Sequence, residues 1–323
     1  MRAVRNLVLF LASALLIAQT DPSGRGGARA ESLKVTLLGT GSPPPILERF
    51  GPSILVEAGN EKMVFDAGRG ALQRLYQLKV PLKAARALFL THLHSDHIVG
   101  IPDLWLTGWL LGRPQAPFRV WGPSGTVALM QHLQEAFEFD IRVRLADDRP
   151  PPEGVAVVAR DITQGVVYEH EGVKVTAFDV DHGPIKPALG YRIDYAGHSV
   201  ALSGDTRFSE NLIRYAQGVD VLVHEVVVPD LVRAHNPSEP ARAERIIAHH
   251  TTAEQAGEVF ARVKPKLAVY SHIGPDATAA DLIPPTRKKY AGPLEVGEDL
   301  MVIEVGDSVT VRRGTQQHPG RAP

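Results

Sequence analysis

Directly after the apolar run 87–90 the chain reads Thr91-His92-Leu93-His94-Ser95-Asp96-His97, and few architectures can use such a stretch. Three imidazoles and a carboxylate in a loop at a strand end can converge on one small volume. Imidazole nitrogen and carboxylate oxygen are the donors that zinc takes where cysteine is lacking, and this chain has no cysteine at all among its 323 residues. The same absence excludes disulfides and thiolate nucleophiles. A loop of this kind needs a rigid scaffold that brings further donors from elsewhere in the sequence, because four ligands cannot close two metal sites.

Those further donors recur where other apolar runs stop. Asp181-His182 follows 173–180, Asp205 follows 199–202, and Ser271-His272 follows 267–270. Polar residues repeated at strand ends are the pattern of a site built along one edge of a sheet. Strands are expected at 34–38, 53–57, 62–65, 87–90, 173–180, 190–195, 199–202, 221–223 and 267–270, with a closing hairpin from 300–305 and 308–312. Helical periodicity marks 101–111, 126–139 and 253–263, and the three prolines within 146–154 read as loop. Strands interleaved with helices predict an α/β protein whose sheets are covered by helices, in one domain over 31–323.

The N-terminus reads as an export signal over residues 1–30. Arg2 and Arg5 precede the apolar core 7–18, and Ala28-Arg29-Ala30 offers small residues at a cleavage position. The core is shorter than the about 20 residues a membrane-spanning helix requires. The expected product is exported, periplasmic or secreted, without a stable membrane anchor. Lys+Arg 35 against Asp+Glu 36 gives a net charge of -1, with no basic field to draw nucleic acid.

His92-x-His94-x-Asp96-His97, with later His182, Asp205 and His272, resembles the metallo-β-lactamase superfamily in its two-zinc form. The segments Leu37-Leu38-Gly39-Thr40-Gly41-Ser42, Phe65-Asp66-Ala67-Gly68, Pro187-Ala188-Leu189-Gly190-Tyr191-Arg192 and His250-Thr251-Thr252-Ala253-Glu254-Gln255-Ala256 resemble the branch containing tRNase Z and secreted bacterial arylsulfatases. The resemblance implies a four-layer αββα sandwich and a hydrolase holding two zinc ions or other divalent metals. It implies that His92, His94 and His182 hold one ion, that Asp96, His97 and His272 hold the other, and that Asp205 bridges them. Asp96 would also orient the attacking hydroxide. His250 would give the leaving oxygen its proton, with His249 the alternative should the motif be misaligned by one position. Asp66 is expected to support the His-rich loop, and His224-Glu225, at the end of an apolar strand, to orient His250 or a ligand imidazole.

Within the branch, tRNase Z carries a tRNA-gripping arm between the third histidine and the bridging aspartate. Here residues 183–204 leave room only for two strands and a turn. Together with the neutral charge and the export signal, this favours a small-molecule ester substrate of aryl sulfate or phosphodiester type and argues against nucleic acid. A tRNase Z-like nuclease and a lactonase or thioesterase are the alternatives, and a homodimer stays open. The substrate pocket is expected from 43–50, the helix around Trp105 and Trp109, and the loop after His182.

Overall fold

A computed structural model describes residues 32–314 apart from 86, 113 and 114; the expected export signal lies outside the described residues. Among the described residues, fifteen strands form two sheets. The strands are β1 (Leu33–Gly39), β2 (Ser53–Ala58), β3 (Glu61–Phe65), β4 (Ala87–Phe89), β5 (Phe118–Gly122), β6 (Val157–Asp161), β7 (Gly165–His170) and β8 (Val173–Asp179). They continue with β9 (Leu189–Tyr195), β10 (His198–Leu202), β11 (Val221–Val226), β12 (Leu267–Ile273), β13 (Leu294–Val296), β14 (Val302–Val305) and β15 (Val309–Arg312). One sheet runs β15-β14-β1-β2-β3-β4-β5-β6, the other β13-β12-β11-β10-β9-β8-β7. Each is part antiparallel and part parallel: pairing is parallel from β3 through β6 in the first, and from β10 through β13 in the second.

Alternation along the strands explains the layering. Leu33, Val35, Phe65 and Phe89 turn to a core shared with Val175, Tyr191, Val223 and Val269 of the opposing sheet. Their neighbours Leu38, Val64 and Leu88 face outward onto a second core with Leu75 and Trp105. On the far side Ala201, Leu222 and Tyr270 pack against Val259 and Phe260 of the helix Ala253–Val263. Strands buried on both faces read as continuous apolar runs, which is why they stand out in the sequence. The result is the expected αββα sandwich: two sheets face to face, with a helical layer on each outer surface.

Several elements depart from expectation. The stretch 101–111 is helical throughout, but π-helical over Asp103–Thr107 between α-helical 101–102 and Gly108–Leu111. Residues 126–139 split at Phe137 into two helices, Thr126–Ala136 and Glu138–Asp147. The expected loop therefore starts later, and it contains a single 3-10 turn at Pro152–Gly154. Strands β5, β6, β7 and β13 were not anticipated; β6 and β7 are half-exposed and carry too little apolar pattern to be recognised, and β13 is only three residues long.

Candidate metal centre

Sequence-distant donors meet because β3, β4, β8, β10, β11 and β12 all deliver their carboxyl ends to one edge of the sandwich. His92 and His94 leave β4, and Asp96 and His97 open the short helix Ser95–Ile98. The nitrogen and oxygen atoms of His92, His94, His182 and Asp205 lie within 4.8 Å of one another, as do those of Asp96, His97 and His272. Asp205 Oδ2 stands between the two groups, 3.3 Å from His97 Nε2, 3.2 Å from His272 Nε2 and 3.8 Å from His92 Nε2. The structure thus brings together all seven residues singled out as ligands.

His272 reaches the site through an irregularity. The register of β11 on β12 shifts between Glu225 and Val226, so that Ser271 and Ile273 take consecutive partners and His272 is the extra residue. It sits in the left-handed conformation with φ of 51°. A bulge of this sort re-aims a side chain; here it turns inward an imidazole that strict alternation would send outward beside Tyr270.

The surrounding groups hold the imidazoles in place. Asp66, also left-handed with φ of 58°, accepts hydrogen bonds from the Thr91 amide and hydroxyl at 2.8 Å each. It also accepts one from His97 Nδ1 at 2.7 Å. That contact fixes the His97 tautomer and leaves Nε2, fully buried, without a hydrogen-bond partner. His182 donates through Nδ1 to the His249 carbonyl at 3.0 Å, which turns its Nε2 towards His94 Nδ1, 3.4 Å away. Tyr191 donates to the Leu90 carbonyl across the sandwich at 2.6 Å and pins the start of the His-rich loop.

Charge tells the same story. Burial and neighbouring His97 hold His92 well below its ordinary pKa, and burial takes His182 down to about 4. Both rings are therefore neutral and ready to ligate. Burial alone would raise Asp205, but His272 and His97 hold it well below the usual carboxylate range. Burial opposes charge on His97 too, yet Asp205 and Asp66 raise it well above the ordinary value. Among the described residues no lysine or arginine pairs with Asp66, Asp96 or Asp205. Without a metal the buried carboxylates are balanced only by protonation of buried His97, a charge that a bound cation would supply instead. The orphaned His97 nitrogen, the neutral His92 and His182 rings and the clustered carboxylates all fit a metal-binding centre.

Glu225 and His250 form a separate pair at the rim. Glu225 Oε1 accepts from His250 Nδ1 and from the amides of Thr251 and Thr206, each at 3.1 Å. Burial would lower the His250 pKa, but Glu225 outweighs it and carries the ring up to about 9. His250 stacks on His272 with centroids 5.5 Å apart, whereas His249 lies half-buried at the edge and contributes its carbonyl. His224 does not share the role expected of it. Its Nδ1 bonds the Glu225 carbonyl at 2.6 Å and its ring meets Phe260 on the outer face of β11, since adjacent strand residues point to opposite faces.

A cavity of about 630 Å³ opens from the cluster. Pro43 and Pro44 line it as expected, but Trp105 and Trp109 do not. Their indoles are fully buried and donate to the carbonyls of Val155 at 2.9 Å and Pro151 at 3.0 Å, so they anchor the helical layer instead. The opposite wall is a helical hairpin, Pro229–His235 and Pro240–His249, which the sequence reading missed. Asp299 was missed as well. It binds the amides of Thr40 and Phe50 at 2.9 and 2.7 Å and Arg74 Nη2 at 2.8 Å, tying the proline-rich loop to the sheet edge.

Fold and donor cluster together define a hydrolase of the metallo-β-lactamase fold. The chain belongs to that superfamily: residues 54–273 match the family model described as the beta-lactamase superfamily domain. Among curated proteins it is 36% identical over 287 residues to Ribonuclease Z of Mycolicibacterium gilvum, taking in 87% of this chain and 99% of that one. Among solved structures, the metallo-β-lactamase fold protein YhfI from Bacillus subtilis superposes with a TM-score of 0.66 at 17% identity, over 85% of this chain and 100% of that one. The short form of human tRNase Z does so at 0.62 and 22% identity, over 84% and 99%. These likenesses overturn two expectations. The small anionic ester as substrate finds no support, and the exclusion of nucleic acid fails, because a relative named for ribonuclease activity aligns nearly end to end with a chain lacking the arm. The interval 183–204 holds β9, β10 and their turn, preceded by a short irregular segment over 183–188. Net charge misled because it averages the whole surface, while binding a phosphodiester needs cations only locally; Arg207 and Arg245 both act on His249 at the cavity edge.

Proposed function

We propose that this protein is a metal-dependent endoribonuclease of the ribonuclease Z kind, which hydrolyses an RNA phosphodiester and has the 3′ ends of precursor tRNAs as its substrate class. The observation that carries this reading is the 36% identity spanning 99% of a protein of that name. The donor set supports the chemistry. In this reading His92, His94 and His182 would hold one zinc ion and Asp96, His97 and His272 a second, with Asp205 available to both groups. When bound, such a pair supplies Lewis acidity, polarising the phosphoryl oxygens and making water acidic enough to attack near neutral pH.

The chain's own groups do the rest. Asp96 accepts a hydrogen bond from the attacking water and turns its lone pair towards phosphorus. Asp66 keeps the His97 ring from rotating, and the His249 carbonyl does the same for His182. His250, kept protonated by Glu225, donates a proton to the leaving oxygen. The test is the zinc-loaded full chain mixed with a precursor tRNA. Site-specific cleavage near the 3′ end, with close to two equivalents of zinc by elemental analysis, is the expected result. Failure to cut any RNA at two equivalents would overturn the reading.

A further inference from the structure

The hairpin 229–249 presents apolar side chains that pack into none of the three cores. Leu231, Val232 and Ile246 are half-buried, and helix Pro240–His249 buries only Ala243. These residues line the cavity of about 630 Å³, together with Val228 and, at the polar rim, Asn236 and Arg242. That volume lies within the roughly 300–1,000 Å³ of pockets that seat small ligands. The cavity has two unlike ends. One is the His/Asp cluster, which suits a phosphate with metal bound. The other is lined by Val228, Leu231, Val232 and Ile246, where a phosphate would lose its hydration and meet only the rim residue Arg242, already paired with Glu239. An uncharged, flat group fits that end.

His250 decides which group this is. It follows the last turn of the hairpin directly, only four positions past Ile246, stacks on His272 of the cluster and lines the same cavity. The oxygen it protonates belongs to the departing nucleotide, so that nucleotide lies on the hairpin side of the scissile phosphate. We infer that the apolar lobe formed by Leu231, Val232 and Ile246 seats the base of the nucleotide that carries the leaving oxygen. The inference rests on the RNA-cleaving reading above and adds where, and by which residues, the substrate is gripped without an arm.

The experiment compares two RNAs that differ only at this nucleotide, one intact and one abasic, each cut by the zinc-loaded full chain. Placing a base on a protein surface contributes enough that the abasic RNA should react about ten- to a hundredfold more slowly in kcat/KM. Leu231→Ser and Ile246→Ser should each shrink that ratio, with thermal melting and zinc content as checks on folding. Should a variant fail to fold, the wild-type ratio alone decides. Equal rates on both RNAs would overturn the inference and leave the functional reading intact. Cleavage of neither RNA, alongside hydrolysis of bis(p-nitrophenyl) phosphate, would overturn the reading and the inference with it.

Discussion

One carboxylate, Asp66, receives three hydrogen bonds, and two of them come from Thr91, next to a ligand. Asp66→Asn can keep the backbone conformation, since asparagine tolerates the left-handed region. It loses the charge that favours the proton on His97 Nδ1. Zinc affinity should fall roughly 10- to 100-fold with little loss of fold, read by competition with a chromogenic chelator; an unchanged affinity would mean that Asp66 only braces the backbone. His250→Ala should retain both metals and lose roughly 10²–10⁴-fold in RNA cleavage. The loss should be smaller for a nitrophenyl phosphodiester, whose leaving oxygen needs little protonation. The ring's pKa of about 9 will fall once cations sit beside it, so the wild-type rate should show an alkaline limb below that value. The variant should lack this limb. Equal losses on both substrates would assign His250 to positioning.

At the scale of elements, strands β4, β10, β11 and β12 were legible because burial on both faces leaves uninterrupted apolar runs ending in polar residues. The helix Ala253–Val263 was legible to the residue, since its capping box between Thr252 and Gln255 is a local signal. The hairpin 229–249 was not, because its apolar face looks into a cavity and never completes a core stripe. Asp299 was invisible for another reason: its partners Thr40, Phe50 and Arg74 lie far away in the chain. Asp220 offers a test at this level. It joins β10 to β11 by accepting from the Ser199 amide at 2.7 Å and pairing with Lys266 at 2.7 Å. Burial would raise its pKa, but Lys266 and the Ser199 amide hold it below the ordinary carboxylate value. A depressed folded-state pKa contributes stability that is complete above the unfolded value of about 3.9 and fades as pH drops through the folded one. Asp220→Asn should therefore cost about 1–2 kcal/mol at pH 7, and the gap should narrow in urea unfolding below about pH 4. A gap independent of pH would refute this account.

For the whole molecule, the seven donors and their fold were readable from spacing and from family resemblance. The substrate was not, because neither net charge nor a missing arm reports what a local cleft can grip. The export expected from residues 1–30 bears on this reading directly. A new N-terminus near Glu31, found by mass spectrometry of protein from its native host, would place the enzyme away from precursor tRNA and count against it, whereas a chain retaining Met1 agrees with it. The central claim is that the donors around Asp205 form a two-ion centre that cuts RNA. Adding zinc stepwise to chelated protein while following cleavage of a fluorescent precursor tRNA tests it most directly. Cleavage should rise as the second equivalent binds and should be abolished by Asp205→Ala. Full cleavage without metal, or none at two bound equivalents, would contradict it.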